Sequence, residues 1–196
     1  YGLYARENIV HPDGTTGVVS KKNEPVATLT IDKEGQASVS GLYLGKYYVK
    51  ELTPPTGYLI DTKEHDINCS YEGDKVAVVE RTALSKETVM KQPFEIIKAA
   101  NNGKTDADLL KGVGFSAWLV SDLKVNSDGS YDFNSAEPVV ITADGKQEMF
   151  TDEKGYACSI ALPYGTYVVK ETTPKHNYEP VDDFIVTVNE NHPNKP

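Results

Sequence analysis

Three residues have the types and spacings to do covalent chemistry: Glu51, Glu171 and Lys98. In an extended strand, residues two apart share a face. In KYYVKE (residues 46–51), Tyr47, Val49 and Glu51 share one face; in TYVVKE (residues 166–171), Tyr167, Val169 and Glu171 share the equivalent one. An aromatic and a β-branched residue mark the core side, so each glutamate is expected at the edge of a core or inside it. Lys50 and Lys170 take the opposite face with Tyr48 and Val168. The same alternation in FEIIKA (residues 94–99) puts Lys98 on the face of Phe94 and Ile96.

A buried lysine and a buried glutamate in one small domain have two readings. One is an ordinary ion pair, or two long side chains that reach back to solvent. The other is covalent. Desolvation lowers an amine's pKa and raises a carboxyl's. A neutral amine is a nucleophile, and a neutral carboxylic acid donates a hydrogen bond to a carbonyl. With an Asn or Asp side chain beside both, the product is a Lys–Asn or Lys–Asp isopeptide bond, a single self-crosslinking turnover.

The elements that position these residues come as a repeat, ungapped at an offset of 120 positions. Residues 32–58 read DKEGQASVSGLYLGKYYVKELTPPTGY, and residues 152–178 read DEKGYACSIALPYGTYVVKETTPKHNY. Matches include Gly35/Gly155, Leu42/Leu162, Gly45/Gly165, Tyr47/Tyr167, Glu51/Glu171 and Pro54/Pro174. Repetition of this density predicts two modules, residues 1–90 and 91–196, meeting near 87–93. YGLYAR (residues 1–6) aligns with GFSAWLV (residues 114–120), which in the second copy follows the FEIIKA strand. The first copy is therefore expected to lack its opening strand, the second its closing strand, and the chain to be a fragment of a longer protein.

The secondary structure reads as β throughout. Strand-like runs fall at residues 26–31, 46–51, 75–82, 94–98, 115–120, 138–142, 166–171 and 184–188. Turn pairs separate them: Asp13-Gly14, Glu34-Gly35, Glu72-Gly73, Asp128-Gly129, Asp144-Gly145 and Lys154-Gly155. The best helical candidate, residues 85–90, is too short to stand alone. Strands at this spacing without intervening helices predict an all-β sandwich or barrel.

Composition narrows the function. The chain has 196 residues and a formal charge of −9, with a pI near 4.9 and a mean hydropathy of −0.44. Such a polyanion is repelled by phosphate backbones, which argues against nucleic acid as a partner. No apolar run approaches the roughly 20 residues of a membrane helix, so no membrane insertion is expected here. Cys69 and Cys158 fall in different copies and are expected as small, buried, unreactive thiols. His11, His65, His176 and His192 have no metal-ligand spacing, so no metal or other cofactor is expected. No HExxH, GxSxG, P-loop or CxxC motif appears, and the chain is not expected to be an enzyme.

The segments YYVKELTPPTGY (residues 47–58) and YVVKETTPKHNY (residues 167–178) resemble the signature of Cna-B / SpaA-type domains of Gram-positive surface proteins and pilins, with the turn glycines Gly45 and Gly165 before them. FEIIK followed by DADLLKGVGFSAWLV (residues 106–120) resembles the first strand, loop and second strand of these domains, and YGLYARENI (residues 1–9) the second strand of the other copy. The resemblance implies tandem Ig-like, prealbumin-type β-sandwiches. It implies that Glu51 and Glu171 are proton-shuttling glutamates and that Lys98 is the crosslinking lysine. The Asn or Asp partner would lie on the closing strand, beyond Pro196 for the second copy. The closing strand of the first offers only Glu80 and Glu87.

The leading functional expectation is a structural stalk or pilin-like segment of a cell-wall-anchored, extracellular surface protein. Its partners would be neighbouring modules and, for an incomplete sandwich, a complementing strand from another chain. The alternative is an adhesin binding a host or matrix ligand through loops, chiefly the insertion at residues 121–137 with Tyr131 and Phe133, which also reads as an ordinary exposed hairpin.

Overall fold

The computed structural model describes residues 1–101 and 108–189. The chain divides into two compact units, Tyr1–Thr88 and Val89–Pro196. Each is built on a four-stranded antiparallel sheet. In the first unit the order is Pro25–Thr28, Gly2–Ala5, Gly45–Lys50, His65–Cys69. In the second it is Glu148–Phe150, Gly114–Leu119, Gly165–Thr173, Phe184–Val188. Both are prealbumin-like β-sandwiches, and strand content far exceeds helix, which among the described residues is limited to one 3-10 turn at Val120–Asp122. No helix among the described residues is long and apolar enough to cross a membrane.

Register carries the repeat into three dimensions. Leu3 pairs with Val49 as Ala117 pairs with Val169. The Tyr47 hydroxyl donates to the Tyr43 carbonyl and the Tyr167 hydroxyl to the Pro163 carbonyl, each at 2.7 Å. Each phenol is thereby satisfied while its ring is buried. Leu3, Ile9, Tyr47 and Val49 anchor the first core; Val113, Phe115, Ile141, Leu162, Tyr167 and Val169 anchor the second. Each such side chain contributes about 1.5–3 kcal/mol on burial.

A second layer closes the core in the second unit. Glu95–Ile97 pairs antiparallel with Tyr156–Cys158, and Lys91–Gln92 with Leu162–Pro163. The opposite face of the four-stranded sheet is covered too. The insertion after Gly114–Leu119 folds into a hairpin, Lys124–Val125 against Tyr131–Asp132. It packs Tyr131 and Phe133 around buried Trp118 and Val168. In the first unit that face seals itself: Tyr4 stacks on Tyr48, and Arg6 and Lys50 cover the two rings.

The structure corrects several expectations. Residues 75–82 form no strand; Val76 and Val78 are exposed. His65–Cys69 takes the place beside Gly45–Lys50 instead, and a β-rich run without a ladder partner has nothing to hold it extended. Residues 138–142 are not a strand either. Val139 N–H donates to the Ala117 carbonyl and Ile141 N–H to the Lys146 carbonyl, so single bonds to different segments replace a ladder, although Ile141 is fully buried. Residues 85–90, too short a run to stand alone as a helix, form none, and Thr88–Val89 is a strand. Cys69 is buried but Cys158 is exposed, because its strand turns Ala157 to the core and the thiol outward. All six turn-pair glycines have positive φ as the turns require. His192 and Asp106 lie outside the described residues.

Candidate functional site

Lys98 follows the strand Glu95–Ile97 and stays in its ladder: its N–H donates to the Gly155 carbonyl at 2.7 Å, and its carbonyl accepts from Leu110 N–H at 2.9 Å. Gly155 (φ +64°) is needed twice here, for the turn and for the approach. A Cβ on it would stand 2.4 Å from the Lys98 carbonyl oxygen. With Phe94 buried and Ile96 packed on the core, alternation carries the Lys98 side chain inward.

Glu171 reaches the same place from Gly165–Thr173, opposite Phe115. Lys98 Nζ lies 2.8 Å from Glu171 Oε2, with side-chain exposures of 9% and 0%. The Val181 backbone N–H also donates to Oε2, at 3.1 Å. Glu171 Oε1 is buried and has no partner among the described residues. A desolvated carboxylate oxygen without a donor is costly, and such atoms mark places where another group fits.

The first unit repeats the glutamate and departs from the rest. Glu51 is buried, and its Oε2 accepts from the Asp61 backbone N–H at 2.6 Å, the counterpart of Val181. Its Oε1 is buried without a partner among the described residues, and so is Oε2 of Glu87. The Tyr1 hydroxyl donates to Glu87 Oε1 at 2.7 Å. Burial first, with Glu87 and Glu51 adding to it against a smaller opposing effect of Ser85, pushes the Tyr1 phenol up to about 12. Beside this cluster, Asp61 accepts from Ser85 at 3.0 Å and pairs with His65 Nε2 at 2.8 Å. The His65 hydrogen bond, then the Lys63 N–H and Ser85, holds the Asp61 carboxyl below its ordinary range.

Thus Lys98 and Glu171, picked out by alternation, meet in one buried pair, and Glu51 occupies the equivalent place in its own unit. The Val181 and Asp61 donors and the Tyr1–Glu87 bond were not foreseen. Backbone donors have no side-chain signature; only their common distance, ten residues past each glutamate, marks them. His65 and His11 each contact a single aspartate, Asp61 and Asp13, and no group of three metal-ligating side chains occurs among the described residues.

Chemically, the second unit holds an amine and a carboxyl group in contact at 2.8 Å, screened from water.

This fold has known counterparts. The SpaA prealbumin-like fold domain matches residues 9–83 and 92–195. The chain belongs to this family, as two consecutive domains. The trypsin-resistant surface T6 protein of Streptococcus pyogenes serotype M6 is 30% identical over 100 residues, 51% of this chain and 18% of that protein. The Bacillus anthracis TIE protein shares the fold with a TM-score of 0.57 at 22% identity, over 100% of this chain and 29% of that one. The shaft pilin spaA of Lactobacillus rhamnosus GG aligns over 99% of this chain and 84% of its own at 14% identity, with a TM-score of 0.33. The chain thus spans under a third of the first two proteins' lengths.

Proposed function

We propose that this chain is a stalk segment of an extracellular, cell-wall-anchored surface protein, in which the second module forms a Lys98 isopeptide promoted by Glu171. A structural, pilin-like role follows from the family; the crosslink is the finer reading. The observation that carries it is the desolvated Lys98–Glu171 contact, with Glu171 Oε1 still buried and unpartnered among the described residues.

The chemistry balances as follows. Glu171 takes a proton from the Lys98 ammonium, and the neutral Nζ attacks the side-chain carbonyl carbon of an Asn or Asp on a closing strand outside the described residues. Glu171, now an acid, hydrogen-bonds to the carbonyl oxygen, protonates the leaving group, and as a carboxylate again takes the second proton that Nζ sheds on becoming an amide nitrogen. A C–N bond forms to Nζ, and ammonia leaves from Asn or water from Asp. In a stalk, such a bond between first and last strands carries tension that a hydrogen-bonded ladder would otherwise bear. Glu51 would play the same proton-carrying part in the first module.

The adhesin alternative draws no support from the insertion at residues 121–137. Its two aromatic side chains are half-buried against Trp118, as in an ordinary covering hairpin.

The test is intact-mass analysis of the chain mixed with peptides of the parent's following strand carrying Asn or Asp. Attachment with loss of one ammonia or water, abolished by Lys98→Ala and slowed severely by Glu171→Gln, is expected. A peptide that pairs in register beside Lys98 yet never attaches would refute the crosslink.

A further inference from the structure

The turn that follows each glutamate is built alike in the two modules. Tyr58 N–H donates to the Pro55 carbonyl at 3.1 Å, and Tyr178 N–H to the Lys175 carbonyl at 3.0 Å. The residue before each tyrosine has positive φ, Gly57 at +85° and Asn177 at +69°. Asparagine enters that region more readily than most side chains. The Lys175 ammonium ties the second turn down by donating to the Lys111 carbonyl at 3.0 Å. Beyond the turn the chain returns alongside the glutamate's own strand, with His65 opposite Val49 in the first module and Phe184 opposite Val169 in the second.

On that return each module gives one peptide N–H to its glutamate, Asp61 to Glu51 Oε2 and Val181 to Glu171 Oε2. The side chains at the two positions are unlike: Asp61 bonds to His65 and Ser85, whereas Val181 is 43% exposed. What the modules share here is the backbone donor. Its direction is selective. In the second module the Lys98 amine and the Val181 N–H both bond to Oε2, while Oε1 is buried with no partner among the described residues. Glu51 Oε1 is left in the same way. A donor placed only to satisfy a buried carboxylate would serve the bare oxygen, because an unsatisfied buried acceptor is costly.

We infer that the Val181 N–H is a positioning group for the Lys98 crosslink: it holds Glu171 Oε2 beside the amine and reserves Oε1 for the carbonyl of the incoming Asn or Asp. A carboxylic acid accepts hydrogen bonds well at its carbonyl oxygen and poorly at its hydroxyl oxygen. With the peptide N–H on Oε2, the proton that Glu171 takes from Lys98 comes to rest on Oε1, the oxygen free to donate it to the carbonyl. Bonds made and broken are those of the crosslinking step; what is assigned is the oxygen that carries the proton. The inference rests on the crosslink reading and adds the backbone group that orients its acid.

The test removes one peptide N–H from the full chain. Cys158 permits ligation of residues 1–157 to a synthetic segment 158–196. In that segment the Pro180–Val181 amide becomes an ester, which keeps the valine side chain, and Glu171 carries an isotope-labelled carboxyl carbon. NMR titration of that carboxyl should move up by about one pH unit or more relative to the ligated all-amide chain, since the lost donor favours the carboxylate. With the Asn peptide of the parent's following strand, the limiting rate of attachment should fall about tenfold or more, the scale of one charge-assisted bond. The half-saturating peptide concentration should stay the same, and the acid limb of the pH–rate profile should rise with the carboxyl titration. An ester at Asp182 instead, whose N–H is not bonded to Glu171, should match the all-amide chain in every readout. An unchanged carboxyl titration, or equal limiting rates for the Val181 ester and the all-amide chain, would overturn the inference and leave the crosslink standing. An all-amide chain that never attaches the peptide would overturn the crosslink reading, and the inference with it.

Discussion

The Lys98 ammonium and the Glu171 carboxylate meet at 2.8 Å although they stand 73 positions apart, and the glutamate side chain is wholly screened from solvent. Removing one partner of such a pair leaves a buried charge, which costs more than the pair contributes. Lys98→Ala should therefore destabilise the second module by about 3–5 kcal/mol. Lys98→Met with Glu171→Met should recover most of that loss. About 1–3 kcal/mol should remain lost, because Val181 N–H no longer has its acceptor. Urea unfolding of the single and double variants measures this; a double variant no more stable than Lys98→Ala would show that the charges are not coupled.

Gly35 and Gly155 occupy equivalent turns with φ of +78° and +64°. Alanine at either costs about 1–2 kcal/mol for the left-handed backbone. At Gly155 the new Cβ also meets the Lys98 carbonyl at 2.4 Å, adding about 1–3 kcal/mol of overpacking. Thermal unfolding should rank Gly155→Ala clearly below Gly35→Ala. Equal losses would mean that the lysine strand gives way without cost.

Asp61 introduces a pH dependence into the first module. Its carboxyl is held below the ordinary value of 3.8, chiefly by the His65 hydrogen bond. A depressed carboxyl stabilises the fold above its unfolded pKa and loses that contribution as pH falls through the folded value. Stability of the wild-type first module should thus decline more steeply below about pH 4 than that of Asp61→Asn. Parallel curves in a pH series of denaturation midpoints would contradict this.

The cysteines should behave differently in a thiol-labelling experiment. Cys158 is exposed and Cys69 buried, so one thiol should react quickly with a maleimide in the native state and the second only on unfolding. Fast reaction of both would show that the Gly45–Lys50/His65–Cys69 pairing opens readily.

Residue types alone determined much of this protein. A period of two along 46–51, 94–98 and 166–171 set which face Glu51, Lys98 and Glu171 take, because the pleat leaves no other choice once Tyr, Val and Phe mark the core. The offset of 120 made the two modules visible, and the Asp-Gly, Glu-Gly and Lys-Gly pairs located the turns, since only glycine adopts those φ angles without strain. Other features belonged to the tertiary structure. Alternation reports a face but not a partner. KVAVVERT at 75–82 has the stronger β composition, yet the polar HDINC of His65–Cys69 won the ladder beside Gly45–Lys50. Its inward residues His65, Ile67 and Cys69 are the better covered, while Asp66 and Asn68 face out. Likewise Tyr131 and Phe133 looked free to meet a ligand until the hairpin laid them on Trp118. The second donor to each glutamate is a peptide N–H, which every non-proline residue carries, so only the folded path of the chain could assign that role to Asp61 and Val181.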